Sequence, residues 1–150
     1  VSVYAKEWNP AGSWYDHDAS AVAVFQMTDG IVYTYRGSWC AEGLNTTWEC
    51  DWRIVGDKGT VTWDGADGFR CQVVAKTGGF RSEMRPVEPP AAAEPGKEGG
   101  HAGLIADFVR CIRAGEAPET VCTDHVKSIA LVFAALESAE SGRSVRVRYR

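Results

Sequence analysis

The chain has 150 residues and a formal net charge of −4, with 45% hydrophobic and 24% charged residues. This size and balance are typical of one globular domain that buries about 68–70% of its unfolded surface. The negative charge argues against a nucleic-acid partner, which usually requires a basic face. No apolar run approaches the roughly 20 residues that cross a bilayer, so we expect no membrane partner.

The five cysteines are predicted to be reduced thiols. Their number is odd and no pair has C-x-x-C spacing, which argues against a disulfide framework and a zinc site. Small buried thiols are typical of cytoplasmic proteins, so we expect a cytoplasmic location. We expect no metal at Asp16-His17-Asp18 either, because adjacent side chains point in different directions. The cysteines are Cys40, Cys50, Cys71, Cys111 and Cys122.

Residues 1–76 are predicted to form an antiparallel sheet. Asp29-Gly30 lies between two β-rich runs, 21–27 and 31–36. This pair predicts a hairpin, because glycine accepts a positive φ without steric cost. Further strands are expected over 48–55, 60–63 and 69–75, the first two joined by a second hairpin turn.

Side-chain alternation gives the predicted sheet one aromatic face and one polar face. The residues predicted on the aromatic face are Tyr33, Tyr35, Trp39, Trp48, Cys50, Trp52, Ile54, Val61, Trp63, Phe69, Cys71 and Val73. The polar face carries a mixed-charge patch that, from the residues alone, is a solvated surface. Its members are Arg36, Glu49, Asp51 and Arg53.

Residues 77–100 are rich in proline and glycine and predict an irregular connector. Residues 101–150 then predict two helices, which end at Gly115 and Gly142, and a closing strand over 145–149. The helical stripes are Leu104, Ile105, Phe108, Val109 and Ile112, then Val126, Ile129, Ala130, Phe133, Leu136 and Ala139. We expect them to cover the aromatic face. This order indicates an α+β domain, with two helices on one face of a mostly antiparallel open sheet.

Several segments together resemble the Gfo/Idh/MocA oxidoreductases. Residues 101–118 are similar to the family's "DFV.AIR.GR.P" segment, and residues 136–143 to its "ESAETGR" ending. Residues 54–61 resemble its "I.GEKG.L" hairpin and residues 25–30 its "F.DG" turn. The resemblance implies the family's C-terminal α/β domain. The parent enzymes use NAD(P) to oxidise or reduce a hydroxyl or keto group of a sugar or cyclic polyol.

The resemblance also implies that the cofactor-binding half lies outside this sequence. The chain opens without Met in a strand-like run and holds no G-x-G-x-x-G segment. The family's "EKP" lysine and "D.G.H..D" helix have no counterpart. We therefore expect one C-terminal domain over 1–150 with no catalytic or cofactor-binding residue and no turnover alone. NAD or NADP belongs to the parent enzyme.

Candidate contacts of the parent's sugar-like substrate come from the loop after the first strand and from the start of the first helix. They are Trp8, Trp14, Tyr15 and His101. The alternatives are rings packed on the sheet edge and a solvent-facing histidine. The resemblance further implies a homodimer through the open sheet face, in which the mixed-charge patch meets its own copy.

Two functions of other classes stay open on the residues alone. Six tryptophans are compatible with a stand-alone carbohydrate-binding module, and the sheet is compatible with a structural oligomerisation domain. Alternation argues against the first, because most rings fall on the face that the helices need to cover.

Overall fold

The computed structural model describes residues 1–89 and 99–149, which form two helices and two four-stranded antiparallel sheets. The chain divides into two compact units, Val1–Ala41 with Glu98–Arg150, and Glu42–Lys97. The elements are β1 (Ser2–Trp8), β2 (Ser20–Gln26), β3 (Val32–Ser38), β4 (Trp52–Val55), β5 (Gly59–Trp63), β6 (Phe69–Lys76), β7 (Glu83–Val87), α1 (Gly100–Ala114), α2 (Cys122–Ser141) and β8 (Val145–Arg146). The predicted α+β class is confirmed.

The first sheet belongs to the first unit and has the strand order β3-β2-β1-β8. Its β2–β3 hairpin turns through Thr28–Gly30, where Asp29 and Gly30 have φ values of 57° and 75°. The N–H of Met27 donates to the carbonyl of Ile31 at 2.8 Å and closes the turn. The Asp-Gly hairpin prediction is therefore confirmed.

The core of the first unit lies between the first sheet and α2. Side chains from β1 and β2 alternate toward the helix, as the pairing of Val3 with Phe25 and of Ala5 with Ala23 requires. The helix contributes small residues, which let its backbone approach the sheet closely. The buried cluster is Val3, Ala5, Ala23, Phe25, Ala134 and Val147.

One buried hydroxyl joins three elements of this unit. Ser138 of α2 is 0% exposed. Its Oγ accepts from the Ala5 N–H at 2.9 Å and donates to the Arg143 carbonyl at 2.6 Å. The β1–β8 register pairs Val3 with Val145, so a longer ladder would bond Ala5 to Arg143 directly. Ser138 therefore replaces a missing ladder bond at the point where the chain leaves the sheet.

The second sheet belongs to the second unit and has the order β4-β5-β6-β7. Trp52 pairs with Trp63, which pairs with Phe69, and Ile54, Val61 and Cys71 form the next row on the same face. The Trp63 and Phe69 rings stack at 5.4 Å with 8° between their planes. The predicted aromatic and polar faces are confirmed across these three strands.

Three details differ from the sequence expectation. The strands fall into two sheets, where the pattern indicated one. The strand expected over 48–55 begins only at Trp52, because a turn closed by the Cys50 N–H bond to Thr47 O gives Cys50 a φ of 65°. The connector expected over 77–100 contains β7, which pairs with β6. Residues 90–98 of that connector lie outside the described residues.

The predicted helical stripes differ from the structure more than any other feature. The large apolar side chains of α1 and α2 expected in the core are exposed, and Phe133 is 65% exposed. In α2 the helix rotation places Leu131, Ala134 and Ala135 against the core, together with the predicted stripe members Ala130 and Ala139. The prediction failed because both sides of α2 are apolar, and the larger side chains were assigned to the core.

Candidate functional site: an aromatic loop at one end of the first sheet

The loop between β1 and β2 holds a stacked pair of aromatic rings. Trp14 and Tyr15 stack with ring centroids 4.1 Å apart and planes at 25°, and Trp14 is 78% exposed. The Asn9 side-chain amide donates to the Tyr15 carbonyl at 2.8 Å, and the Tyr15 N–H donates to Ser13 Oγ at 3.1 Å. These bonds fix the loop backbone, so the pair presents an ordered aromatic surface.

A cluster of small polar side chains adjoins this loop where β2 begins and β3 ends. Ser20 Oγ donates to Ser38 Oγ at 2.6 Å, and Ser38 Oγ lies 3.5 Å from Cys40 Sγ. The Ser38 hydroxyl lowers the pKa of the Cys40 thiol, and the hydroxyls of Ser13 and Ser20 add to the lowering. Sequence reasoning missed this cluster, because isolated serines carry no periodic or motif signal.

The other predicted substrate contacts lie on different elements. Trp8 is the last residue of β1 and is 41% exposed. His101 lies in the first turn of α1, where it is exposed. The structure thus brings Trp14 and Tyr15 together, while Trp8 and His101 remain separate predictions.

The predicted dimer-face residues divide between the two units. Arg36 is on the open face of the first sheet, in the row formed with Val22 and Lys6. Glu49, Asp51 and Arg53 belong to the second unit. Arg53 pairs with Thr62 on the polar face of the second sheet, and the Glu49 carbonyl accepts the Trp52 indole N–H at 2.6 Å.

The open face of the first sheet carries exposed apolar side chains among polar ones. It is the side that α2 does not cover, and it alternates with the buried positions of β1, β2 and β3. Its apolar members are exposed, although each lies in the middle of a regular strand or at its start. They are Tyr4, Val22, Val24 and Val32.

A polar clip holds the C-terminal end of α1 against the chain that follows. Asp107 accepts from the Glu119 N–H at 3.0 Å and from Arg110 at 2.8 Å, and Arg110 also donates to Glu116 at 2.6 Å. The Glu119 N–H and then Arg110 lower the pKa of Asp107. Burial raises the pKa of the neighbouring Cys111 thiol. The clip lies in the segment that resembles the family motif.

The described residues do not fit a dinucleotide. Such sites need a glycine-rich turn between a strand and a helix of a parallel βαβ unit. The strand pairs among residues 1–89 and 99–149 are all antiparallel. In that same part of the chain, no three His, Cys, Asp or Glu side chains converge on a possible metal position. None of its helices is long and apolar enough to span a bilayer.

Comparisons with known proteins agree with this architecture. Residues 1–147 match the family described as "Oxidoreductase family, C-terminal alpha/beta domain", the Gfo/Idh/MocA family. The chain belongs to this family. The uncharacterized protein y4oX of Sinorhizobium fredii is 28% identical over 155 residues, covering 99% of this chain and 41% of that protein.

Solved structures share the fold. Levoglucosan dehydrogenase in complex with NADH and L-sorbose superposes with a TM-score of 0.71 at 19% identity, over 99% of this chain and 45% of that one. Aldose-aldose oxidoreductase from Caulobacter crescentus, complexed with glycerol, gives a TM-score of 0.69 at 20% identity, over 97% and 41%. The chain therefore spans less than half the length of these relatives.

Proposed function

We propose that this chain is the substrate-shaping and dimer-forming part of a NAD(P)-dependent oxidoreductase that acts on a hydroxyl or keto group of a sugar or cyclic polyol. The family match over residues 1–147 is the observation that carries the proposal. The cofactor-binding half, with the catalytic groups, belongs to the rest of the parent enzyme. The predicted single C-terminal domain over 1–150 is part of this proposal.

The aromatic loop is the proposed sugar-facing surface of this domain. The apolar C–H face of a pyranose packs well on an aromatic ring, and the Trp14–Tyr15 pair is both exposed and held by backbone hydrogen bonds. Trp8 and His101 are proposed as further contacts in the parent. Their proposed role is to orient the substrate.

The open face of the first sheet is the proposed dimer surface. An exposed apolar centre flanked by Lys6 and Arg36 is typical of a sheet face that another subunit covers. Glu49, Asp51 and Arg53 lie in the second unit and remain proposed dimer contacts of that unit. We also propose a cytoplasmic location, which the five free thiols favour.

The test of the proposal is turnover measured at 340 nm with NAD⁺ or NADP⁺ and a panel of sugars and inositols. We expect no turnover by the 150-residue chain and sugar-dependent turnover by the parent polypeptide. Turnover by the chain alone would contradict the proposal that the catalytic groups belong to the rest of the parent enzyme. Saturable sugar binding by the chain without turnover in the parent would favour a carbohydrate-binding module.

Two variants locate the proposed surfaces. In the parent, Trp14→Ala should raise KM for the sugar about threefold to tenfold with kcat little changed, since stacking is worth about 0.5–1.5 kcal/mol. Phe80→Ala is the matched control, because Phe80 is fully exposed in the second unit. Light scattering should show a dimer that Val24→Arg converts to a monomer and Phe80→Arg does not.

A further inference from the structure

A groove runs along α2 beside the extended segment 143–149. Its volume is about 670 Å³. One wall is the exposed apolar side of α2, formed by Val126, Ile129 and Phe133. The other wall is the segment that contains β8.

The segment beside this groove is a sheet edge that pairs with no further strand among residues 1–89 and 99–149. β8 is the last strand in the order of the first sheet. The Val147 N–H donates to the Val1 carbonyl at 3.1 Å, and Val145 pairs with Val3. Backbone groups alternate in direction along an antiparallel strand, so those of Arg146 and of Arg148 point away from β1. Two residues therefore offer donors and acceptors to another strand.

The charges around the groove indicate which side chains such an added strand should carry. Arg143, Arg146 and Arg148 line the groove, together with one acidic residue, Glu137. A second copy of β8 paired antiparallel would place arginines opposite arginines, which is destabilising. The surplus of two positive charges instead fits a strand that carries carboxylates.

The dimensions fit one strand of ordinary length. The α2 residues that line the groove run from Val126 to Ser141. At 1.5 Å per residue this stretch of helix is about 22 Å long. An extended chain of about seven residues at roughly 3.3 Å each covers the same distance.

We propose that an extended segment of the parent's cofactor-binding half adds to the first sheet at β8. Alternate side chains of that segment carry carboxylates opposite Arg146 and Arg148, and the intervening side chains are apolar and pack on Ile129 and Phe133. The source of the segment rests on the proposed function. The chemistry of the groove rests only on the charges, register and exposure above.

The first test uses the 150-residue chain and two seven-residue peptides. One alternates valine with glutamate, and the control alternates valine with lysine. Hydrogen exchange followed by NMR should show the Arg146 and Arg148 amides slowed at least about tenfold by the glutamate peptide. The lysine peptide should bind about tenfold more weakly, since each cross-strand charge pair contributes a fraction of that difference.

Variants separate the charge contribution from the apolar one. The double substitution Arg146→Glu and Arg148→Glu should reverse the preference between the two peptides, with folding checked by a thermal melt. Phe133→Ala changes an exposed ring and should weaken the glutamate peptide about tenfold. The proposal is overturned if neither peptide slows the two amides, or if both peptides bind equally well.

The second test uses the parent polypeptide and addresses the source of the strand. If its cofactor-binding half supplies the strand, the Arg146 and Arg148 amides should exchange about as slowly as core strand amides such as that of Val3. Rapid exchange of both amides in the parent would overturn this source. Slow exchange in a parent without NAD(P)-dependent turnover would instead uphold the docking and reject the proposed function.

Discussion

The two sides of α2 differ in the size and the burial of their apolar side chains. The side on β1 is built from alanines with one leucine and one serine, and it is buried or half-buried. The opposite side carries Val126, Ile129, Phe133 and Leu136, all exposed. Close approach of helix to sheet requires small side chains, so the bulky apolar side faces away from the sheet. The difference teaches that side-chain size does not by itself identify the core.

The largest expected effect separates two phenylalanines. Phe25 is 8% exposed and Phe133 is 65% exposed. Phe25→Ala removes a ring from the core and should lower the free energy of unfolding by about 3–5 kcal/mol. Phe133→Ala should lower it by less than about 1 kcal/mol. Urea melts of both variants measure the contrast, and equal losses would place both sides of α2 in the core.

A smaller effect is expected at the buried hydroxyl. Ser138→Ala leaves the Ala5 N–H and the Arg143 carbonyl without their shared partner. The free energy of unfolding should fall by about 1–3 kcal/mol. Ser141→Ala, at the exposed end of the same helix, is the matched control and should change it by less than about 0.5 kcal/mol. A loss no greater than that of the control would show that water replaces Ser138.

The clip on α1 should depend on pH. The pKa of Asp107 is lowered by the Glu119 N–H and by Arg110. Its contribution to stability is therefore present above the ordinary aspartate pKa of about 3.9 and is lost as pH falls through the lower folded value. Asp107→Ala should lower the Tm at pH 6, and the difference from the unsubstituted chain should vanish in strong acid. Asp57→Ala serves as an exposed control, and a pH-independent difference would contradict this account.

The thiols should show the smallest and most local contrast. A lowered pKa gives Cys40 more thiolate near neutral pH, while burial raises the pKa of Cys111 and shields it. Alkylation by iodoacetamide, followed by peptide mass spectrometry, should modify Cys40 well before Cys111 in the native chain. The control is the same labelling in urea. Unfolding removes the burial of Cys111, so the two thiols should then be alkylated at similar rates. Faster native labelling of Cys111 would contradict the structure.

Local signals predicted much of the fold. Asp29-Gly30 placed the first hairpin, and the alternation from Trp52 to Val73 gave the correct faces of the second sheet. The glycines at 115 and 142 marked both helix ends, where each has a positive φ. These features depend on backbone geometry within a few residues.

The remaining features depend on contacts that are distant in sequence. The hydrogen bond between Ala5 and Ser138 spans 133 positions, and no sequence pattern near either residue predicts it. The rotation of α2 was mispredicted for the same reason, since its partner β1 lies at the other end of the chain. In the candidate site, the aromatic residues of the loop were identifiable, while the Ser20–Ser38 contact required the strand pairing.

The most direct test of this account is paramagnetic broadening of methyl NMR signals by a soluble nitroxide. It reports which side of α2 solvent reaches in the 150-residue chain. We predict strong broadening of Ile129 and Leu136 and protection of Val3 and Leu131. Protection of Ile129 and Leu136 equal to that of Val3 would contradict the exposed apolar side of α2, and with it the proposed groove.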